Sequence, residues 1–164
     1  MIKKYTYDWD EFWSYDTGNE EAKDFFSKDS PYSAANAPEG SFFSDAITWD
    51  VFVYAMAIGK FQDRLLPQGQ TTRKPLKKSS KSIPLKWAKE HHLNAILGLV
   101  FSLKEVDMSI IKRPGEIRKI CEEYANAGAE KLMQFEKTRD PSNPISDYEK
   151  EFLNFLGKSK TIEE

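Results

Sequence analysis

The chain has 164 residues, of which 40% are hydrophobic, 13% aromatic and 30% charged. This length is enough for one domain with a substantial core, and the absence of an apolar run of about 18 residues excludes a membrane-spanning protein. The net charge is −2, but residues 1–50 contain 11 acids and 4 bases, whereas residues 60–90 contain 9 bases and 2 acids. This asymmetry favours two surfaces with different partners, although two halves that neutralise each other within the fold would give the same counts.

The N-terminal residues and the cysteine content indicate where the protein works. The first 13 residues, MIKKYTYDWDEFW, lack the apolar core and small-residue cleavage site of a secretory signal. The single cysteine, Cys121, cannot form an internal disulfide, and its position in a predicted helix favours a small buried hydrophobe over a nucleophile. We therefore expect a cytoplasmic protein.

Residues 1–43 are rich in aromatic and acidic side chains, and we expect them to form an N-terminal layer over the core. Tyr5, Tyr7 and Trp9 alternate with polar residues, which predicts a short strand, and the spacing of Trp9, Phe12 and Trp13 then predicts a helical turn. A short helix over 20–28 and a loop over 29–43 follow. The predicted central helix begins directly after this loop.

The rest of the chain is organised around an apolar stretch, SDAITWDVFVYAMAIGK, from Ser44 to Lys60. Only Thr48 and Asp50 interrupt the apolar residues between positions 46 and 58, and the length favours a helix over a strand. Ser44 is a suitable N-cap, and Gly59 followed by Lys60 predicts a left-handed C-cap. A helix that is apolar on nearly all sides has to be buried by the rest of the chain.

The segment after this helix is predicted to be a long basic loop over 61–83. Its prolines, Pro67 and Pro75, are too closely spaced for a long helix, and one short extended piece is expected around residues 82–85. The most basic stretch of the chain begins at Lys60 and runs through this loop. We expect it to be exposed.

Three further helices are predicted beyond the basic loop. The first runs from about Pro84 to Leu103, and the second begins at Pro114 and ends near Lys137. The apolar residues that recur at helical intervals in the first are Trp87, Leu93, Ile96, Leu97, Val100 and Phe101. A capping box at Ser146 opens the last. The inward stripe of the second helix comprises Ile117, Ile120, Cys121, Tyr124, Ala125, Gly128, Leu132 and Phe135. The sequence predicts a mainly α fold, a single-domain helical bundle (1–164) around a buried central helix.

The basic segment from Lys60 to Lys86, which includes the basic loop, is the strongest candidate for a binding site. Lysine, arginine and hydroxyl side chains contact phosphate oxygens without reading bases, and functional residues concentrate in long loops. A solvated linker is the alternative reading of such a charge run. The candidate nucleic-acid-binding residues are Lys60, Arg64, Arg73, Lys74, Lys77, Lys78, Lys81 and Lys86.

The N-terminal aromatics are candidates for a protein interface, because aromatic side chains dominate interface hot spots. The candidate partner-binding residues are Trp9, Phe12, Trp13 and Tyr15, and the alternative is that they complete the core. The acids interspersed with them could hold a divalent ion in a nuclease-like site, of which Asp8 and Asp10 would be part. Their spacing is irregular, so a solvated acidic face is favoured.

The sequence gives no positive sign of catalysis, of a cofactor or of a metal. It contains no phosphate-binding glycine motif, nucleophile elbow, CxxC or HExxH. His91 and His92 are the only histidines, and adjacent helical residues point about 100° apart. Metal binding by this pair would need Glu90 or a distant acid as a further ligand, so no metal site is predicted.

Two motifs resemble a known family. A helix ending AMAIGK is followed by KPLKK and a short Ile-Pro, and a later helix carries KICEEYANAGAEKL. This order resembles the small accessory and DNA-binding proteins of Dnd-type DNA phosphorothioation systems over about half of the chain. Glu123 to Gly128 read EYANAG, with Ala127 where the family more often has glycine. The resemblance implies a prokaryotic protein that acts on or near DNA within a multi-protein defence system, and it supplies no catalytic residue.

From these observations we expect a non-catalytic DNA-associated subunit of a prokaryotic defence or DNA-modification system. Its partners would be the DNA backbone and other subunits, with no membrane, and the sequence leaves a homo-oligomer open. A protein-only adaptor, whose basic loop docks on an acidic partner, is the alternative. A nuclease that uses the N-terminal acids is the least favoured.

Overall fold

A computed structural model describes residues 12–15, 48–65, 73, 81–84, 87–103 and 106–138. The described part is mainly α-helical, as the sequence predicts. Its elements in chain order are strand β1 (Phe12–Tyr15), helix α1 (Thr48–Leu65), strand β2 (Lys81–Pro84), helix α2 (Glu90–Phe101), a 3₁₀ helix (Met108–Lys112) and helix α3 (Pro114–Thr138).

The core lies mainly between α1 and α3, which form the largest contact between described elements. The apolar run of the central helix explains this, since Trp49, Phe52, Ala55 and Met56 are all at most 1% exposed. Trp49 packs edge-on against Phe52, with ring centroids 5.3 Å apart. The prediction of a buried central helix is therefore confirmed.

Helix α1 does not end where the sequence predicts. Gly59 and Lys60 lie inside the helix, which continues to Leu65. Gly59 is required by packing, because a side chain there would overlap the backbone of Tyr124 on α3. The prediction of a C-cap at Gly59 is wrong, and the N-cap prediction at Ser44 falls outside the described residues.

The same crossing explains a glycine on the facing helix. A Cβ atom at Gly128 would overlap the backbone carbonyl of Ala55 and lie 2.8 Å from the backbone nitrogen of Gly59. The AMAIGK and EYANAG motifs are thus the two sides of one close helix crossing. We call this contact, formed by Ala55, Gly59, Tyr124 and Gly128, the glycine crossing.

The basic loop predicted over 61–83 is bounded by regular structure at both ends. Residues 61–65 are the last turn of α1, and Lys81–Pro84 form β2, close to the extended piece predicted around 82–85. Strand β2 pairs with β1 in antiparallel register, with Phe12 opposite Pro84 and Tyr15 opposite Lys81. The predicted helical turn at Phe12 and Trp13 is therefore wrong, because both residues belong to a strand.

Helix α2 begins later than predicted, at Glu90 instead of about Pro84. Lys89 has an extended backbone (φ −91°, ψ 166°), so the residues before it are out of phase with the helix. Trp87 is consequently 62% exposed and not part of the core. Of the other residues predicted to face inward, Ile96 and Val100 are buried and Leu93 is half-buried. Leu97 and Phe101 are exposed, so this part of the prediction is wrong, and Leu99 is buried instead.

A capped 3₁₀ helix precedes α3. The Asp107 carboxylate accepts a hydrogen bond from the Ser109 backbone N–H (2.6 Å), which caps the 3₁₀ helix. Hydrogen bonds from the Ser109 side chain and from this N–H lower the pKa of Asp107. Pro114 then opens α3, where a missing N–H costs no helical hydrogen bond. The prediction of α3 is confirmed, because most residues of its predicted inward stripe are buried. In that stripe Ile120 is half-buried, and the side chain of Phe135 lies outside the described residues.

Candidate functional site

Two of the predicted DNA-contacting residues converge on one aromatic ring of α3. The Lys60 Nζ atom and the Arg73 guanidinium carbon each lie 5.6 Å from the centroid of the Tyr124 ring. The two cationic groups are therefore no more than twice 5.6 Å apart, although they lie at positions 60 and 73 of the sequence. We call Lys60, Arg73 and Tyr124 the cation cluster.

Tyr124 is held in place by the glycine crossing. Its backbone carbonyl lies against Gly59, and its side chain is only 1% exposed. Because the ring is fixed by helix packing, it offers a rigid surface to cations, and such cation–π contacts within about 6 Å are attractive. The packing of α1 against α3 thus holds the Tyr124 ring in the position where Lys60 and Arg73 contact it.

Arg73 also contacts an acid of the same chain. Its Nε atom lies 3.5 Å from the Glu123 Oε2 atom, and the two side chains are 30% and 16% exposed. Part of the positive charge predicted for the DNA-binding surface is therefore balanced within the protein. This pairing corrects the expectation that the basic residues are all presented outward.

The remaining predicted contacts are described only in part. Arg64 belongs to the last turn of α1 and Lys81 is the first residue of β2, and only the backbone of each is described. The other four residues lie outside the described part of the chain: Lys74, Lys77, Lys78 and Lys86. Their contact with DNA stays a prediction.

The predicted protein-binding residues lie mostly in β1. Phe12, Trp13 and Tyr15 contribute backbone to this strand, and Trp9 lies outside the described residues. The N-terminal acids of the nuclease alternative, among them Asp8 and Asp10, also lie outside them. The proposed interface and the acidic site therefore both stay predictions.

A second polar cluster joins α1 to the start of α2. The His92 ring, 1% exposed, places Nε2 2.8 Å from the Asp50 Oδ1 atom, and its Nδ1 atom lies 2.8 Å from the Lys89 backbone nitrogen. His91, on the surface, has its Nε2 atom 3.7 Å from the same Asp50 oxygen. Asp50 is thus a distant acid of the kind that metal binding by this histidine pair would require.

The hydrogen bonds of His92 decide what this cluster can do. One potential ligand atom from each of Asp50, His91 and His92 lies within 4.8 Å of the others, which is compatible with a metal ion. However, the Lys89 N–H donates to His92 Nδ1, so the ring proton is on Nε2 and is donated to Asp50. A histidine that binds metal through Nε2 carries its proton on Nδ1, where it would oppose the Lys89 N–H.

The Asp50–His92 pair is therefore best described as a clamp between two helices. His92 accepts a hydrogen bond from the Lys89 backbone N–H at the start of α2 and, through Asp50, ties that end of the helix to α1. Asp50 is the single charged residue between positions 46 and 58 of the apolar run, and this exception is the signal that could have predicted the pair. The cluster does not offer three metal ligands in this arrangement.

Cys121 is buried between the helices, as the sequence predicts. Its side chain is 0% exposed, and burial, together with the neighbouring Glu122 carboxylate, raises the pKa of its thiol. A thiol that does not ionise is a poor nucleophile. Cys121 therefore belongs to the core.

None of the helices in the described ranges is long and apolar enough to cross a membrane. Comparisons with protein-family models, with curated proteins and with solved structures found no match to this chain.

Proposed function

We propose that this protein is a non-catalytic subunit that binds the phosphate backbone of DNA and serves a prokaryotic defence or DNA-modification system. The observation that supports DNA binding is the cation cluster, in which Lys60 and Arg73 meet on the Tyr124 ring. The resemblance of AMAIGK and EYANAG to the Dnd-associated proteins supports the second part of the proposal.

The cation cluster suits phosphate because it presents two cations close together on a rigid support. A DNA strand carries one phosphate for about every 3.4 Å of helix axis, so two cations at this spacing can contact phosphates of the same strand. The neighbouring lysines of the basic segment would extend the contact along the backbone. Such contacts position a protein on DNA without selecting a sequence.

The salt dependence of DNA binding tests this proposal. The slope of the logarithm of the association constant against the logarithm of salt concentration falls by about 0.9 for each phosphate that the protein no longer neutralises. Replacing Lys60 by glutamine should reduce the slope by about 0.9 unit. Replacing Lys74, Lys77 and Lys78 should reduce it by about one unit for each of these lysines that binds a phosphate.

Lys112→Gln is the matched control, because Lys112 is an exposed lysine at the end of the 3₁₀ helix. It removes one positive charge, as each single replacement in the basic segment does, and should leave the slope within about 0.3 unit of the original. Absence of binding at low salt would refute the proposal. The genes beside this one test its second part, since a sulfur-transfer or restriction cluster would support it.

A protein-only adaptor is the second candidate, and the Arg73–Glu123 pair is the observation that favours it. In this pair a residue of the basic segment binds a carboxylate. A partner with an acidic surface would then bind the same segment. Co-purification of such a partner, abolished by replacing Lys74, Lys77 and Lys78 and without retained nucleic acid, would support the adaptor.

A further inference from the structure

Glu123 contacts Arg73 where, in the proposed function, a DNA phosphate would bind. Its Oε2 atom is 3.5 Å from Arg73 Nε, and the next residue in the chain, Tyr124, supports the same guanidinium through its ring. The anion already bound to Arg73 therefore comes from the protein itself. Both side chains of the pair are partly exposed, at 30% and 16%, so an external anion can reach them.

We infer that Glu123 is an internal competitor that DNA phosphate displaces from Arg73, and that it thereby limits the affinity for DNA. This inference rests on the proposed function. Guanidinium binds carboxylate and phosphate with the same fork of N–H donors, so the two anions compete for one group. Partly exposed ion pairs are weak, and displacement of Glu123 should reduce the affinity only about two- to fivefold.

Tyr124 allows this exchange without a rearrangement of the fold. The cation–π contact uses the face of the ring and does not involve the carboxylate, so Arg73 can keep it while its anionic partner changes. The ring itself is held by the glycine crossing and is 1% exposed. Lys60, on the same ring, keeps the local charge positive when Glu123 is released.

The exchange also predicts a change in salt dependence. When phosphate displaces Glu123, the released carboxylate regains a cation from solution, so the wild-type complex releases about one net cation fewer. Glu123→Gln removes this uptake. The salt slope of the variant should therefore be steeper than that of the wild type by up to about one unit.

The test compares the full-length wild type with Glu123→Gln, Glu116→Gln and Arg73→Gln, and with the double variant of Glu123 and Arg73. The readout is the fluorescence anisotropy of a labelled DNA duplex in a salt series. Glu116 is the matched control, because it is an acid of the same helix that also pairs with an arginine, Arg113, at 2.9 Å. It lies two turns before Glu123, roughly 10 Å along the axis.

We expect Glu123→Gln to bind DNA about two- to fivefold more tightly than the wild type and Glu116→Gln to change affinity by less than about 1.5-fold. The gain should disappear when Arg73 is also replaced. Equal gains from Glu123→Gln and Glu116→Gln, or a gain that persists without Arg73, would overturn the inference and leave DNA binding intact. A wild type that does not bind at all would instead refute the proposed function.

A second measurement uses the unchanged protein and does not depend on the folding of a variant. The NMR signal of the Arg73 Nε–H group, assigned by its disappearance in Arg73→Gln, reports the anion bound to the guanidinium. It should shift when the duplex is added. An Arg73 signal that stays unchanged at saturating DNA would mean that Glu123 is not displaced.

Discussion

The glycine crossing gives the most direct test of the fold, through the substitution Gly128→Ala. The added Cβ atom would lie 2.7 Å from the carbonyl carbon of Ala55, whereas ordinary contacts begin at about 3.4 Å. The opposing atoms belong to the backbone of α1 and cannot rotate away. The two helices would have to separate along the part of the core where Ala55, Tyr124 and Ala125 are at most 1% exposed.

Two opposing effects set the size of the change. Overpacking a core costs about 1–3 kcal/mol, and the backbone contact places Gly128→Ala at the upper end of this range. Alanine is also the better helix former by up to about 1 kcal/mol, which offsets part of the cost. The free energy of unfolding should therefore fall by about 2 kcal/mol, which lowers Tm by about 4–8 °C for a chain of this size.

Gly98→Ala is the matched control, because it is the same substitution in α2 where a Cβ atom would have no atom within 4 Å. Only the gain in helix propensity applies there, so we expect a stabilisation of about 0.5–1 kcal/mol. Urea unfolding followed by circular dichroism measures both variants. A Gly128→Ala protein as stable as the wild type would refute the close crossing.

Two further predictions concern the buried polar groups. His92→Ala should lower the free energy of unfolding by about 2–4 kcal/mol in urea titrations, because Asp50 and the Lys89 N–H both lose their hydrogen-bond partner. The control His91→Ala, at a side chain that is 65% exposed, should lower it by less than about 0.5 kcal/mol. An equal effect of both would contradict the clamp. Because the pKa of Cys121 is raised above its ordinary value of 9.0, its contribution to stability is complete below pH 9 and declines above it by about 1.4 kcal/mol per pH unit. Urea titrations at pH 8 and 10 should show a smaller decline for Cys121→Ala, and an identical decline would contradict the burial of the thiol.

The helices can be predicted from the sequence because their signals are local. The apolar run of α1 and the stripe of α3 identify both core helices, and Pro114 identifies where α3 begins. Gly59 is misinterpreted because a C-cap glycine and a packing glycine look the same within one helix. Only the approach of Tyr124 from α3 distinguishes them.

The sites depend on pairs that are distant in the sequence, and this is why the sequence predicts them only in part. The basic residues stand out by their charge, but Arg73 pairs with Glu123, which lies on another element far along the chain. Likewise, the spacing of His91 and His92 argues against binding of one metal ion by the pair and gives no sign that both rings approach Asp50. Trp87 fits the period of α2, but the extended backbone at Lys89 breaks that period.

Gly59 and Lys60 are neighbours in α1, so one turn of helix serves two purposes at once. The glycine sets how near the two long helices come, and the lysine that follows it is thereby held at a fixed height above Tyr124. Any change that spreads the helices will also move a proposed contact to DNA. Attempts to engineer tighter DNA binding should therefore leave this turn unchanged, because it determines both the packing of the two helices and the position of the Lys60 ammonium group.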